Sequence, residues 1–138
     1  MQIELSNKEF RRLLDLVYMG NWVLNSTRGE DRFQDYDDLE SKLFGLCRRN
    51  GMGVLVEDWE GVPVPSQAYA EGGIHEAISY YEDNMFYEIL AEELALRDLD
   101  GQPLTRENYD ALMARIDAYL SEFDEHGTDR VTVDLDEG

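Results

Sequence analysis

Residues 105–127 read TRENYDALMARIDAYLSEFDEHG. Tyr109, Leu112, Met113, Ile116, Leu120 and Phe123 recur at steps of three and four, so a helix through them turns one apolar stripe inward. Thr105 is a side chain that caps a helix start, and Gly127 one that stops a helix. Working back from this stripe, three further helical patterns emerge. Residues from about 73 to 98 carry two stripes, Ile74/Ile78/Tyr81/Met85/Ile89 and Tyr87/Leu90/Leu94. Together they are too wide for a helix that only lies on a core, so this helix is expected to be central or to face a partner. From about Arg32 to Asn50, Tyr36, Leu39, Leu43, Leu46 and Cys47 share a face, acids open the segment, and Arg48 and Arg49 close it before Gly51. Near the N-terminus, Ser6 and Glu9 have capping-box spacing ahead of Phe10, Leu13, Leu14, Val17 and Leu24.

Strand signals are short. Ile3 and Leu5 alternate at one end, and Val131, Val133 and Leu135 at the other, which predicts that the two termini pair. Val54-Leu55-Val56 is a candidate third strand, whereas Val62-Pro63-Val64-Pro65 reads as extended edge or polyproline structure, because proline cannot donate to a ladder. Residues 51–72 have no helical period, and so long a connection is often functional. The tail, Asp134 to Gly138, is expected to fray. The fold class predicted is α+β, mainly α: about four helices in an antiparallel arrangement, with a small sheet joining N- and C-terminal strands, in a single domain over 1–138.

Charge narrows the function. Residues 50–96 contain no Lys or Arg, yet ten acids fall between Glu57 and Glu93. The first fifty residues hold nine acids and eight bases; the rest carry a net −18 of the chain's −19. Such a surface repels nucleic-acid phosphates and anionic membranes and attracts a basic protein. With no basic-then-apolar leader pattern, and with Leu16–Thr27 as the longest uncharged run, a cytoplasmic protein is expected. The lone cysteine, Cys47, lies on an apolar stripe and reads as a buried thiol.

Templates for catalysis go unfilled. No H-E-x-x-H, G-x-S-x-G, phosphate-binding glycine loop or C-x-x-C occurs. Glu71 and His75, one turn apart, read as an exposed first-turn pair, and His126 as a helix C-cap. Acidic pairs invite comparison with helical nucleotide pyrophosphohydrolases, which hold magnesium on paired E-x-x-E and E-x-x-D helices. Here Ala91 stands three residues after Glu88, and Glu57/Glu60 and Glu122/Glu125 fall in a loop and at a helix end. The stretch Leu96-Arg-Asp98-Leu-Asp100-Gly101-Gln-Pro-Leu-Thr-Arg-Glu107 resembles the EF-hand calcium loop. That resemblance implies Asp98, Asp100 and Glu107 as candidate metal ligands. Leu96 stands where the family has an aspartate, and Pro103 where it uses a backbone N–H, so the reading taken is a helical hairpin with an Asp-Gly turn. No metal or other cofactor is expected.

Tyr80, Tyr81, Phe86 and Tyr87 are interleaved with Glu82, Asp83 and Glu88. Tyrosines beside carboxylates suit a basic segment through cation–π contact and charge pairing. Trp59, Tyr80, Glu82, Asp83 and Tyr87 are therefore the candidate partner-binding residues. Overall the chain is similar to short acidic bacterial proteins of unassigned function, a resemblance that implies no mechanism. The function expected is a non-enzymatic acidic interaction module that engages a basic protein and self-associates as a homo-oligomer. The alternatives are a metal-dependent helical hydrolase and a nucleic-acid mimic that inhibits a DNA-binding protein.

Overall fold

Ser6 and Glu9 close their capping box in the computed structural model, which describes residues 1–136. The Ser6 hydroxyl accepts the Glu9 N–H at 3.1 Å, and Glu9 accepts the Ser6 N–H at 3.0 Å. This starts α1 (Asn7–Asn25). Next come α2 (Gln34–Gly45) and a 3₁₀ turn, Leu46–Asn50, where the predicted second helix tightens at its end. A hairpin of β1 (Val56–Trp59) and β2 (Val62–Pro65) follows, then the one-turn α3 (Gln67–Tyr69). A π turn over Ala70–Ile74 leads into α4 (His75–Asp98), and α5 (Arg106–His126) closes the order. The chain is α+β, mainly α, as expected.

The sheet is not where the period-2 patterns put it. Residues 1–6 and 131–136 form no strand, and Ile3, Val133 and Leu135 are exposed. Glu137 and Gly138, the end of the tail expected to fray, lie outside the described residues. Alternation alone does not hold a terminal strand, because a two-stranded ribbon needs a packed face to be stable. The sheet forms instead from residues 56–65, where Trp59 pairs with Val62 across Glu60-Gly61. Both turn residues have positive φ, 51° and 81°, as the tightest right-twisting hairpin turns require. Pro63 and Pro65 do not break β2. Only alternate residues of an antiparallel strand donate to their partner, so both prolines take the outward positions, and they also block further pairing at that edge. Gly45 lets β2 lie close on α2: a Cβ there would meet the Pro63 ring at 3.3 Å.

The chain forms two compact units, Met1–Ser79 and Tyr80–Gly138. In the first, Phe10, Leu14, Phe44, Cys47, Val56, Tyr69, Ile74 and Ile78 form the apolar core. Leu14 and Phe44 are wholly buried, which stabilises the fold by roughly 1.5–3 kcal/mol for each. Tyr69 packs edge-on against Phe44 and Tyr18, and its hydroxyl donates to Asp15 at 2.9 Å. Cys47 is buried, as read, and burial raises its thiol pKa.

In the second unit Ala91, Ala95, Leu112 and Phe123 are buried. Thr105 caps α5 as predicted, with Asn108 completing a capping box. Tyr87 meets Phe123, whereas Asp98, eleven residues later, meets Arg115 and Tyr119, so the two helices run antiparallel. The α5 stripe is only partly covered. Leu112 and Phe123 are buried, but Tyr109 and Met113 are exposed, because one facing helix covers only part of so wide a stripe. No described helix is long and apolar enough to cross a membrane.

Candidate functional site

The predicted partner-binding residues fall in both units. Trp59 ends β1 in the first, while Tyr80, Glu82, Asp83 and Tyr87 lie on α4 in the second. Steps of three and seven put Tyr80, Asp83 and Tyr87 on one face of α4, whereas Glu82, two residues on from Tyr80, turns towards the opposite face. Tyr80 is 73% exposed; Tyr87 is half-buried, its ring 5.6 Å from that of Phe123. A groove of about 400 Å³ between α4 and α5 has Tyr87, Leu120 and Phe123 as its apolar part and Asn84, Glu88 and Asp124 as its polar part.

The candidate metal ligands are arranged for another purpose. Asp98 accepts a hydrogen bond from the Tyr119 hydroxyl, one from Arg115 Nε at 2.8 Å and one from Arg97 Nη2 at 3.2 Å. Those donors, Tyr119 first and then Arg115, hold its carboxyl down at a pKa of about 2. Asp100 sits in the turn with a φ of 52°, and Glu107 lies in the first turn of α5. Among the described residues no group of three or more His, Cys, Asp or Glu converges as a metal site would require. The carboxylate that the EF-hand pattern would lend to an ion instead ties α4 to α5.

A second constellation, in the first unit, has no counterpart in the sequence reading. Asn25, 1% exposed, donates to Asn21 Oδ1 at 2.7 Å and to the Phe33 carbonyl at 3.1 Å, and its Oδ1 accepts the Phe33 N–H at 2.8 Å. That last bond satisfies the N–H of Phe33, the N-cap of α2, whose own side chain caps nothing. Asn21 donates to Asp37 at 2.9 Å and to Glu40 at 3.2 Å. Arg32 grips both oxygens of Asp37 at 2.9 Å. Asp37 is therefore held below the usual carboxylate range, by Arg32 first and by Asn21 after it. Glu40, on the next turn, is pushed up by burial, and Tyr18 is pushed up by burial and by the Glu40 charge. The signal available in the sequence was the continuation of the inward stripe Phe10, Leu14, Tyr18 by Asn21 and Asn25, amides at apolar positions.

Tyr18, Asn21, Arg32, Asp37 and Glu40 edge a cleft of about 920 Å³, bounded by α1, α2 and the hairpin. Trp22 and Trp59 both line it. Behind Trp22, His75 stands edge-on at 4.7 Å and Tyr18 stacks at 6.2 Å. The spacing of Glu71 and His75 predicts an exposed pair. His75 is instead half-buried, its Nε2 2.6 Å from the Tyr18 hydroxyl, while Glu71 accepts from Gln67. The π turn immediately before His75, with Gly73 at a φ of 109°, ends the irregular stretch and starts α4 at this ring. No family model, curated protein or solved structure matches the chain.

Proposed function

We propose that the protein is a non-enzymatic interaction module whose second unit engages a basic segment of a protein partner. The observation that carries this reading is the α4/α5 groove, in which Tyr87, Leu120 and Phe123 are accompanied by Glu88 and Asp124. The unit around it has seventeen acidic and four basic residues, a net charge of −13. A lysine- or arginine-rich amphipathic helix laid in such a groove buries its apolar face while its cations meet the acids. Exposed Tyr80, one face with Tyr87, adds a cation–π surface. A second copy of the same unit would set −13 against −13, so charge favours a basic partner over a homo-oligomer.

Surface plasmon resonance tests this, with an amphipathic lysine/leucine peptide as analyte and its glutamate/leucine counterpart as control. Charge governs encounter and buried rings govern residence. Reversing Glu82 and Asp83 to lysine should therefore slow association by roughly tenfold at low salt, and Tyr80→Ala or Tyr87→Ala should speed dissociation. Equal binding of the acidic peptide, or unchanged rates after all four substitutions, would refute the reading.

A further inference from the structure

The cleft of the first unit is of ligand-binding size, and its chemistry is selective. One half of its aromatic wall is fixed, because Trp22 is held by Tyr18 and His75; the other, Trp59, stands exposed at the end of β1, beside the two-residue turn. Val62, Val64 and Pro65 add an apolar strip. Four carboxylates, Asp37, Asp38, Glu40 and Glu60, line the cleft against one cation, Arg32. Arg32 spends its charge on Asp37 through two hydrogen bonds. Glu40 has only the neutral amide of Asn21 as a hydrogen-bond donor, at 3.2 Å, although it is half-buried. A carboxylate desolvated beside an amide lacks the partner that would offset its lost hydration. An anion would be repelled here, and a neutral polyol would leave that deficit in place. A cation with an alkyl stem removes it and lays the stem on indole.

We propose that this cleft binds an organic cation, an alkylammonium or alkylguanidinium group, with its head at Glu40 and its stem between Trp22 and Trp59. The head group can belong to a free small molecule or to a lysine or arginine side chain, which present the same chemistry. The proposal rests on the first unit alone and stands whether or not the second unit binds a basic segment.

Trp22 and Trp59 are the only tryptophans in the chain, and both line the cleft, so intrinsic fluorescence reads its occupancy. The probes are n-butylammonium and n-butylguanidinium chloride at constant ionic strength, with n-butanol as the neutral control. Saturable change with the two cations, at Kd values in the millimolar range or tighter, is expected. Glu40→Gln should weaken binding about tenfold, as loss of a charge-assisted contact does. Trp59→Ala, an exposed position that leaves the core intact, should weaken it severalfold, read from Trp22. Asp110→Asn, on the second unit, should change nothing. A peptide, acetyl-Gly-Arg-Gly-amide, identifies the source: tighter binding than n-butylguanidinium assigns the site to a polypeptide side chain, and equal or weaker binding assigns it to a free cation. No saturable response to either cation, an equal response to n-butanol, or unchanged affinity in both cleft variants would overturn the proposal.

Discussion

Replacing Asn25 by alanine tests whether the buried amide pair holds α1 to the start of α2. The side chain makes three hydrogen bonds between 2.7 and 3.1 Å, to Asn21 and to both backbone groups of Phe33. At a net ~1 kcal/mol per bond the loss is about 3 kcal/mol, and any buried group left unpaired adds to it. Both tryptophans belong to the first unit, so their fluorescence in a urea titration follows that unit specifically. With a slope of ~1–2 kcal/mol/M, the midpoint should fall by roughly 1.5–3 M. Asn25→Asp sharpens the test. The carboxylate keeps its acceptor for the Phe33 N–H but loses all three donations, including the weak one to Asp37 at 3.4 Å, where it sets charge against charge. It should therefore be the less stable variant at pH 7 and recover partly as pH falls, from above the ordinary carboxyl range, because burial and the Asp37 charge both favour its protonated form. A loss under ~1 kcal/mol for the alanine variant, at unchanged slope, would refute the role given to Asn25.

Leu112, buried in the second unit, should cost roughly 2–5 kcal/mol as Leu112→Ala in urea melts followed by circular dichroism, and a loss below ~1 kcal/mol would mean the helix face is misassigned. Asp98 has its folded pKa depressed to about 2 from 3.8. Its stabilisation is thus present above pH 3.8 and disappears as pH falls towards 2; thermal melts across that window should show a shallower decline in Asp98→Asn. Glu40 has its folded pKa raised above 4.5. An acid of that kind is protonated more readily in the fold than when unfolded, so stability falls as pH rises through the interval above 4.5; Glu40→Gln should remove that fall and melt no lower than the parent at pH 7.

Local chemistry was legible in the sequence wherever one segment decides the outcome. The caps at Ser6 and Thr105, the helix through Leu112 and Phe123, and the stop at Gly51 follow from contacts within a turn or two. Such contacts depend on chain-neighbour spacing and on little else. The sheet was not legible, because strand pairing depends on what a strand can pack against. Ile3 and Val133 alternate as well as any strand but have no face to cover, whereas β2, interrupted by two prolines, has α2 beneath it and a positive-φ turn at its end. The same distinction separates the two sites. Tyr80, Asp83 and Tyr87 share a helix face by periodicity, so a one-dimensional reading finds them. The cleft of Trp22, Glu40 and Trp59 gathers side chains from α1, α2 and β1, and no spacing in the chain encodes their approach. Composition and periodicity determined a mainly helical, strongly acidic chain. The partial burial of Glu40 with only an amide as its hydrogen-bond donor, and the capture of Asp98 by arginine and tyrosine, were decided by tertiary packing, because a carboxylate's environment is set by which elements close around it.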